Sequence, residues 1–186
     1  MKYFKKLVGE RVYLSPVNIE DAEKYTKWLN DFNITDYIGR SGKVITLEEE
    51  KQWFQNMNDQ KIVFAIVKLE NDELIGNTGI HDIDYINRTA TLGIFIGEKE
   101  NWNKGYGTEV INMLLDYSFN YLNLNNIKLD VMEFNPRAIA CYKKSGFKEI
   151  GRRRKSKFIN GKYYDTISMD ILAEEFKQEA IRNKNI

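Results

Sequence analysis

Six residues, Trp102-Asn103-Lys104-Gly105-Tyr106-Gly107, stand between an alternating apolar run and a run with helical spacing. Before them, Ala90, Leu92, Ile94 and Ile96 fall on one face of a strand, and Thr91, Gly93, Phe95 and Gly97 on the other. After them, Tyr106, Val110, Met113, Leu114, Tyr117 and Tyr121 recur at helical spacing, with Glu109, Asn112, Asp116 and Asn120 on the opposite stripe. A strand, a glycine-bearing turn and a helix make an anion-binding device. The first turn of a helix has backbone N–H groups without intrahelical partners, and the helix dipole adds positive potential there. Gly105 and Gly107 let a bulky diphosphate approach the main chain, and Lys104 adds a cation. No Lys-Ser/Thr pair follows a glycine as in a Walker loop, and there is no Gly-x-Gly-x-x-Gly, so nucleotide triphosphatase and dinucleotide chemistry are poorly supported. Two glycines before a helix are also what a plain loop contains.

Other residues have types suited to proton transfer. His81, the one histidine, has an ordinary pKa that suits a general base, and Asp82 and Asp84 lie nearby. Tyr142 sits on a helix that Asn135 caps, Pro136 opens and Gly146 ends. It reads equally as a core aromatic on an amphipathic helix.

The elements that position these residues follow in order. Arg11 to Leu14 is a strand ended by Ser15-Pro16, and Ile19 to Leu29 a helix. Phe32 to Lys43 has no clean period and reads as loop. Thr46-Leu47-Glu48-Glu49 is a capping box heading a helix whose apolar side is Trp53, Phe54 and Met57. Ile62 to Val67, Leu74 to Tyr85 and the strand from Thr89 form an antiparallel meander. Ile127, Leu129 and Val131 alternate in a further strand, and Asn160-Gly161 is the turn of a last hairpin. A short helix from Ala173 leads into a ragged polar tail.

Composition bounds the rest. The 186 residues, 42% hydrophobic, suit a single mixed α/β domain. No run approaches the ~20 apolar residues of a membrane helix, and no secretory signal is evident. One cysteine rules out an internal disulfide, and one histidine rules out a metal site of several Cys and His ligands. A net charge of +1 argues against a general polyanion partner, and the basic run Arg152-Arg153-Arg154-Lys155-Ser156-Lys157 reads as a solvated hairpin arm rather than a nucleic-acid surface. No membrane or nucleic-acid partner is expected. A cytoplasmic chain fits, and a homodimer is compatible.

Asn135-Pro136-Arg137-Ala138-Ile139-Ala140-Cys141-Tyr142-Lys143-Lys144-Ser145-Gly146-Phe147 resembles the B motif of the GNAT superfamily of N-acetyltransferases. The 102–107 stretch resembles its A motif, in the right order and at the right separation. Gly9 to Leu14, Glu20 to Glu23 and Trp28 to Asp31 look like the branch holding the ribosomal-protein N-terminal and spermidine acetyltransferases. The resemblance covers residues 9–176, leaving 177–186 as a polar tail. It implies a single-domain GNAT-like fold: a mixed, mostly antiparallel sheet with splayed central strands and flanking helices, and acetyl-CoA in the wedge.

The resemblance further implies acetyl transfer to a primary amine (a protein N-terminus, a polyamine or a small amine), with no metal. Pyrophosphate would rest on the amides of Asn103 to Thr108. The backbone of Ile94, Phe95 and Ile96 would pair with the pantetheine arm, and an amide near Ile96 would polarise the carbonyl. Asn135 would touch the arm or cap its helix. Tyr142 would protonate the leaving thiolate, a step only slightly uphill from a phenol of pKa about 10 to a thiol of about 8.5. The sequence departs from the family at Trp102, where Gln or Arg is usual, and at Thr91, where relatives often carry Glu. The candidates left for the base are His81, acting through a water chain, and bulk water. These two departures also admit a GNAT-like domain that binds acetyl-CoA without turnover, as a sensor or assembly subunit. The first two helices would border the acceptor groove, with Tyr37 and Trp53 on its wall. A basic run near that groove would repel a polyamine and attract an acidic peptide.

Overall fold

The structure, a computed structural model, describes residues 2–56 and 60–182. Its frame is one eight-stranded sheet in the order β1-β2-β3-β4-β5-β6-β8-β7. The strands are β1 (Leu7–Val8), β2 (Val12–Pro16), β3 (Ile62–Lys68), β4 (Leu74–Asp84), β5 (Thr89–Ile96), β6 (Asn126–Met132), β7 (Lys148–Ile159) and β8 (Lys162–Leu172). Five helices flank them: α1 (Ala22–Leu29), α2 (Phe32–Thr35), α3 (Leu47–Gln55), α4 (Tyr106–Asn120) and α5 (Pro136–Lys144). Every neighbouring pair is antiparallel except β5 and β6.

That exception shapes the molecule. β5 and β6 run parallel and pair only from Thr89 to Thr91 with Asn126 to Lys128, then part. The expected splay is present. β5 keeps its antiparallel partner β4 to the end, from Thr89 opposite Asp84 to Ile96 opposite Gly76. β6 keeps β8 as its own partner. Each strand is thus held on its outer edge, and the edges facing the gap are left unpaired.

Both sheet faces are covered, as the alternation of β5 requires. Ala90 and Leu92 are buried with Val110, Ile111, Met113 and Leu114 of α4, and Tyr142 of α5 belongs to the same cluster. On the other face Phe95 packs with Tyr25 and Trp28 of α1 and Phe54 of α3.

Several local expectations hold. Thr46 and Glu49 form the capping box of α3 in both directions. Asn135 caps α5 through the Ala138 amide, and Gly146 follows at φ 98°. Asn160 and Gly161, at φ 47° and 77°, turn the last hairpin. Met57 lies outside the described residues.

One strand was not foreseen, and two expectations are corrected. The two-residue β1 has no legible pattern of its own and exists by pairing with Leu14 and Tyr13. The stretch from Phe32 holds the one-turn helix α2, capped by the Asp31 side chain through the Asn33 amide. Asp116, placed on the polar stripe of α4, is fully buried. Its carboxylate accepts from the Ala180 and Ile181 amides, so Ile181 is buried and the tail is docked at least to Arg182.

Candidate active site

The turn before α4 is held in shape by its own backbone and by β2. Asn103 and Gly105 adopt left-handed conformations, φ 59° and 82°. Gly105 is the N-cap of α4 with no side-chain cap, so the first-turn amides keep their hydrogen-bonding capacity for something else. Glu109, one turn in, accepts from the Glu10 and Arg11 amides at 2.7 and 2.8 Å and from Arg11 Nε at 2.9 Å. Arg11 also donates to the Lys104 carbonyl at 2.6 Å and covers the Tyr106 ring. The cation beside Gly105 is therefore Arg11, with Nη2 3.0 Å from where a Cβ would stand. Lys104, the cation expected there, is exposed and off the cavity wall.

A cavity of about 830 Å³ runs from this turn through the β5–β6 gap to α1–α3. Its wall includes Ile94, Phe95, Ile96, Trp102, Asn103, Gly105, Tyr106, Gly107, Thr108, Asn135, Tyr142 and His81. Every predicted site residue except Lys104 is brought to one space, and Tyr37 and Trp53 join them.

The edge of β5 shows which backbone groups face the gap. Gly97 N–H donates to the Ile75 carbonyl, so the pair Phe95–Asn77, two residues along, is also hydrogen-bonded within the β4–β5 ladder. Ile94 and Ile96 then present their N–H and C=O groups to the gap. Phe95 does not: its main chain faces β4, and it contributes its ring instead. The Ile96 carbonyl is partly engaged, because Trp102 Nε1 donates to it at 2.9 Å. The unusual Trp102 thus braces the β5 edge, where a Gln or Arg side chain would have been a donor contact.

Tyr142 reaches the gap from α5. It is 8% exposed and meets Phe147 edge-on. Burial pushes its phenol far above the ordinary range, so it is neutral at any physiological pH. The transfer to thiolate would be more than slightly uphill if the thiolate kept its aqueous pKa. The same dry surroundings raise the thiolate too, so the mismatch between the two narrows.

His81 approaches from the other sheet face, on β4 opposite Thr91. Its imidazole lies across Gly79 and Gly93, with Nε2 at 3.0 and 3.4 Å from where Cβ atoms would stand, so larger residues there would displace it. Burial first, then the Lys61 and Arg40 charges, lower its pKa, against the raising effect of Asp82. The shift favours the neutral imidazole at pH 7, which has no hydrogen-bond partner among the described residues. The Thr91 hydroxyl, also on the cavity wall, is buried without a hydrogen-bond partner among the described residues.

Two wall residues carry functional potential that the sequence did not reveal. Glu50 is buried on α3, and burial raises its carboxyl despite Arg40. It had a signal: Glu50, Trp53 and Phe54 share one helical stripe. Arg137 stacks 3.8 Å over the Trp102 ring and 5.4 Å from Tyr37, and nothing local in the sequence announces that pair. Among the described residues no group of three or more His, Cys, Asp or Glu side chains is placed to hold a metal ion, and no helix is long and apolar enough to cross a membrane.

Comparison with known proteins follows the geometry. The family model of the acetyltransferase (GNAT) domain matches residues 11–148. The chain is similar to the spermidine N(1)-acetyltransferase of Vibrio cholerae, 36% identical over 147 residues, covering 79% of this chain and 84% of that protein. It is similar to the uncharacterized N-acetyltransferase p20 of Bacillus licheniformis, 29% identical over 175 residues, covering 91% and 97%. Among solved structures it resembles spermidine N-acetyltransferase from V. cholerae in complex with CoA and spermine, with a TM-score of 0.82, 31% identity and coverage of 88% and 96%.

Proposed function

The chain belongs to the GNAT acetyltransferase family, and from that premise we propose how its own residues carry out acetyl transfer from acetyl-CoA to a primary amine. The observation that carries the reading is the β5–β6 gap. It joins an open helix N-terminus, a buried tyrosine and a neutral histidine in one cavity.

Acetyl-CoA supplies the activated thioester. The amides of residues 103–108 hold its pyrophosphate, on a turn that Arg11 braces through Glu109 and the Lys104 carbonyl. The gap-facing N–H and C=O of Ile94 and the N–H of Ile96, whose carbonyl Trp102 engages, meet the pantetheine arm in the gap, extending β5 as an added strand would. Asn135, already the cap of α5, borders the same channel. The Ile96 N–H is placed to polarise the thioester carbonyl.

The acceptor enters from the α1–α3 face. Its amine lone pair attacks the carbonyl carbon, and its proton passes to His81, directly or through water held by the orphaned Thr91 hydroxyl. The C–S bond breaks, and the departing thiolate takes the Tyr142 proton. Donor chemistry thus lies on one face of the sheet, acceptor chemistry on the other, and the reacting atoms meet in the opening.

The acceptor class, a protein N-terminus, a polyamine or a small amine, belongs to this proposal, as do the domain bounds of 9–176 and a cytoplasmic location. So does association of copies, which the exposed Tyr85, Ile86 and Tyr121 at one end of α4 support. The test is acceptor-dependent release of free thiol from acetyl-CoA. Release by at least one primary amine supports the reading. Binding of acetyl-CoA with no release by polyamine, amino acid or peptide would instead favour a sensor.

A further inference from the structure

The acceptor end of the cavity carries positive charges that form no close ion pair among the described residues, although Arg40 acts at longer range on Glu50. Arg40 and Lys43, in the segment between α2 and α3, line it, as does Arg137 at the start of α5. Lys157 reaches the same rim from β7. Its Nζ is 3.3 Å from where a Cβ on Gly39 would stand, beside Met132 of the cavity wall. None of these four has an ion-pair partner among the described residues. Arg152, from the same basic run, differs: it pairs with Glu133, Glu149 and Asp165.

The carboxyls on the same wall are fewer than these cations and are bonded elsewhere or buried, though the capping box keeps Glu49 ionised. Glu49 accepts from the Thr46 amide and hydroxyl in the capping box. Glu50 is buried, and Asp130, on the far wall, accepts from Ser168. A polyamine would bring several positive charges towards Arg40, Lys43, Arg137 and Lys157. A primary amine that also carries a carboxylate would place its amine near His81 and Glu50 and its anionic end against these cations.

We propose that the acceptor is a primary amine bearing a carboxylate, an amino acid or the acidic end of a peptide, read by Arg40, Lys43 and Lys157. This rests on the acetyltransferase reading above and names its substrate class. It also separates the chain's acceptor preference from that of the spermidine acetyltransferase it resembles. Arg40 and Lys43 select by charge complementarity at a partly exposed rim, where each cation contributes a few-fold and the set about tenfold.

The test compares kcat/KM for thiol release with four acceptors at low salt: the tripeptides Ser-Glu-Glu and Ser-Gln-Gln, both C-terminally amidated so that only the first carries carboxylates, free L-glutamate and spermidine. Either Ser-Glu-Glu or glutamate should exceed both Ser-Gln-Gln and spermidine by about tenfold, and which of them leads tells peptide from free amino acid. The double variant Arg40→Glu, Lys43→Glu should erase that margin and favour spermidine while keeping its affinity for acetyl-CoA. Spermidine leading in the unaltered protein, or an unchanged margin in the variant, would overturn the assignment. Donor binding measured by calorimetry separates the two failures. Absent acetyl-CoA binding would overturn the acetyltransferase reading and this one with it. Intact binding with release by spermidine or Ser-Gln-Gln but by neither acidic acceptor would overturn this one alone.

Discussion

Tyr142 holds its proton because burial penalises the phenolate, and it lines the cavity through which, in the proposed mechanism, the donor's sulfur leaves. Removing its hydroxyl deletes a proton and little volume. Tyr142→Phe is expected to lower kcat about a hundredfold or more, the usual scale for a lost general acid, with acetyl-CoA affinity within a few-fold. An unchanged kcat across the pH range would remove it from the chemistry. His81 gives a complementary pH signature. It must be neutral to accept a proton, and its pKa lies below the ordinary 6.5. Activity should therefore fall as pH drops through a point below 6.5, where the imidazole gains its proton. His81→Gln should slow turnover near neutrality and lose that acid limb; a kcat–pH profile that keeps the limb would assign it to another group.

The elements bring these residues together, and α3 does so most indirectly. Its capping box fixes the start of a helix that carries Glu50, Trp53 and Phe54 to the cavity and the aromatic cluster below it. Thr46→Ala leaves the Glu49 amide without its cap and should cost about 1 kcal/mol of stability. Its kinetic mark should be a higher KM for the acceptor with unchanged affinity for acetyl-CoA, because the donor turn belongs to α4 and β2. Equal changes in both constants would contradict that division. The capping box, the period-two pattern of β5 and the Asn160-Gly161 turn were legible in sequence because each is a local device. Glu50 was obscured within an acidic run, although its spacing from Trp53 and Phe54 placed it inward. The Arg137–Trp102 stack, the burial of Asp116 and the pairing of β1 depend on partners distant in the chain, and spacing carries no such information.

At the scale of the molecule, the parting of β5 from β6 determines where the chemistry sits. The two strands pair for three residues on each side, then follow separate outer partners, leaving an unpaired edge where a donor can lie. The donor's far end would meet a helix start whose amides have no side-chain cap. Gly107 has room for a Cβ, the nearest atom being Cys141 Sγ at 3.6 Å, but a carboxylate there would face the diphosphate. The most direct measurement is calorimetric titration of acetyl-CoA into the unaltered protein and Gly107→Glu, with melting temperatures recorded for both. Saturable 1:1 binding that weakens at least tenfold in a variant with near-normal melting is the expected result. Equal affinity in the two proteins, or no binding to either, would contradict a donor site built on the turn at 103–108.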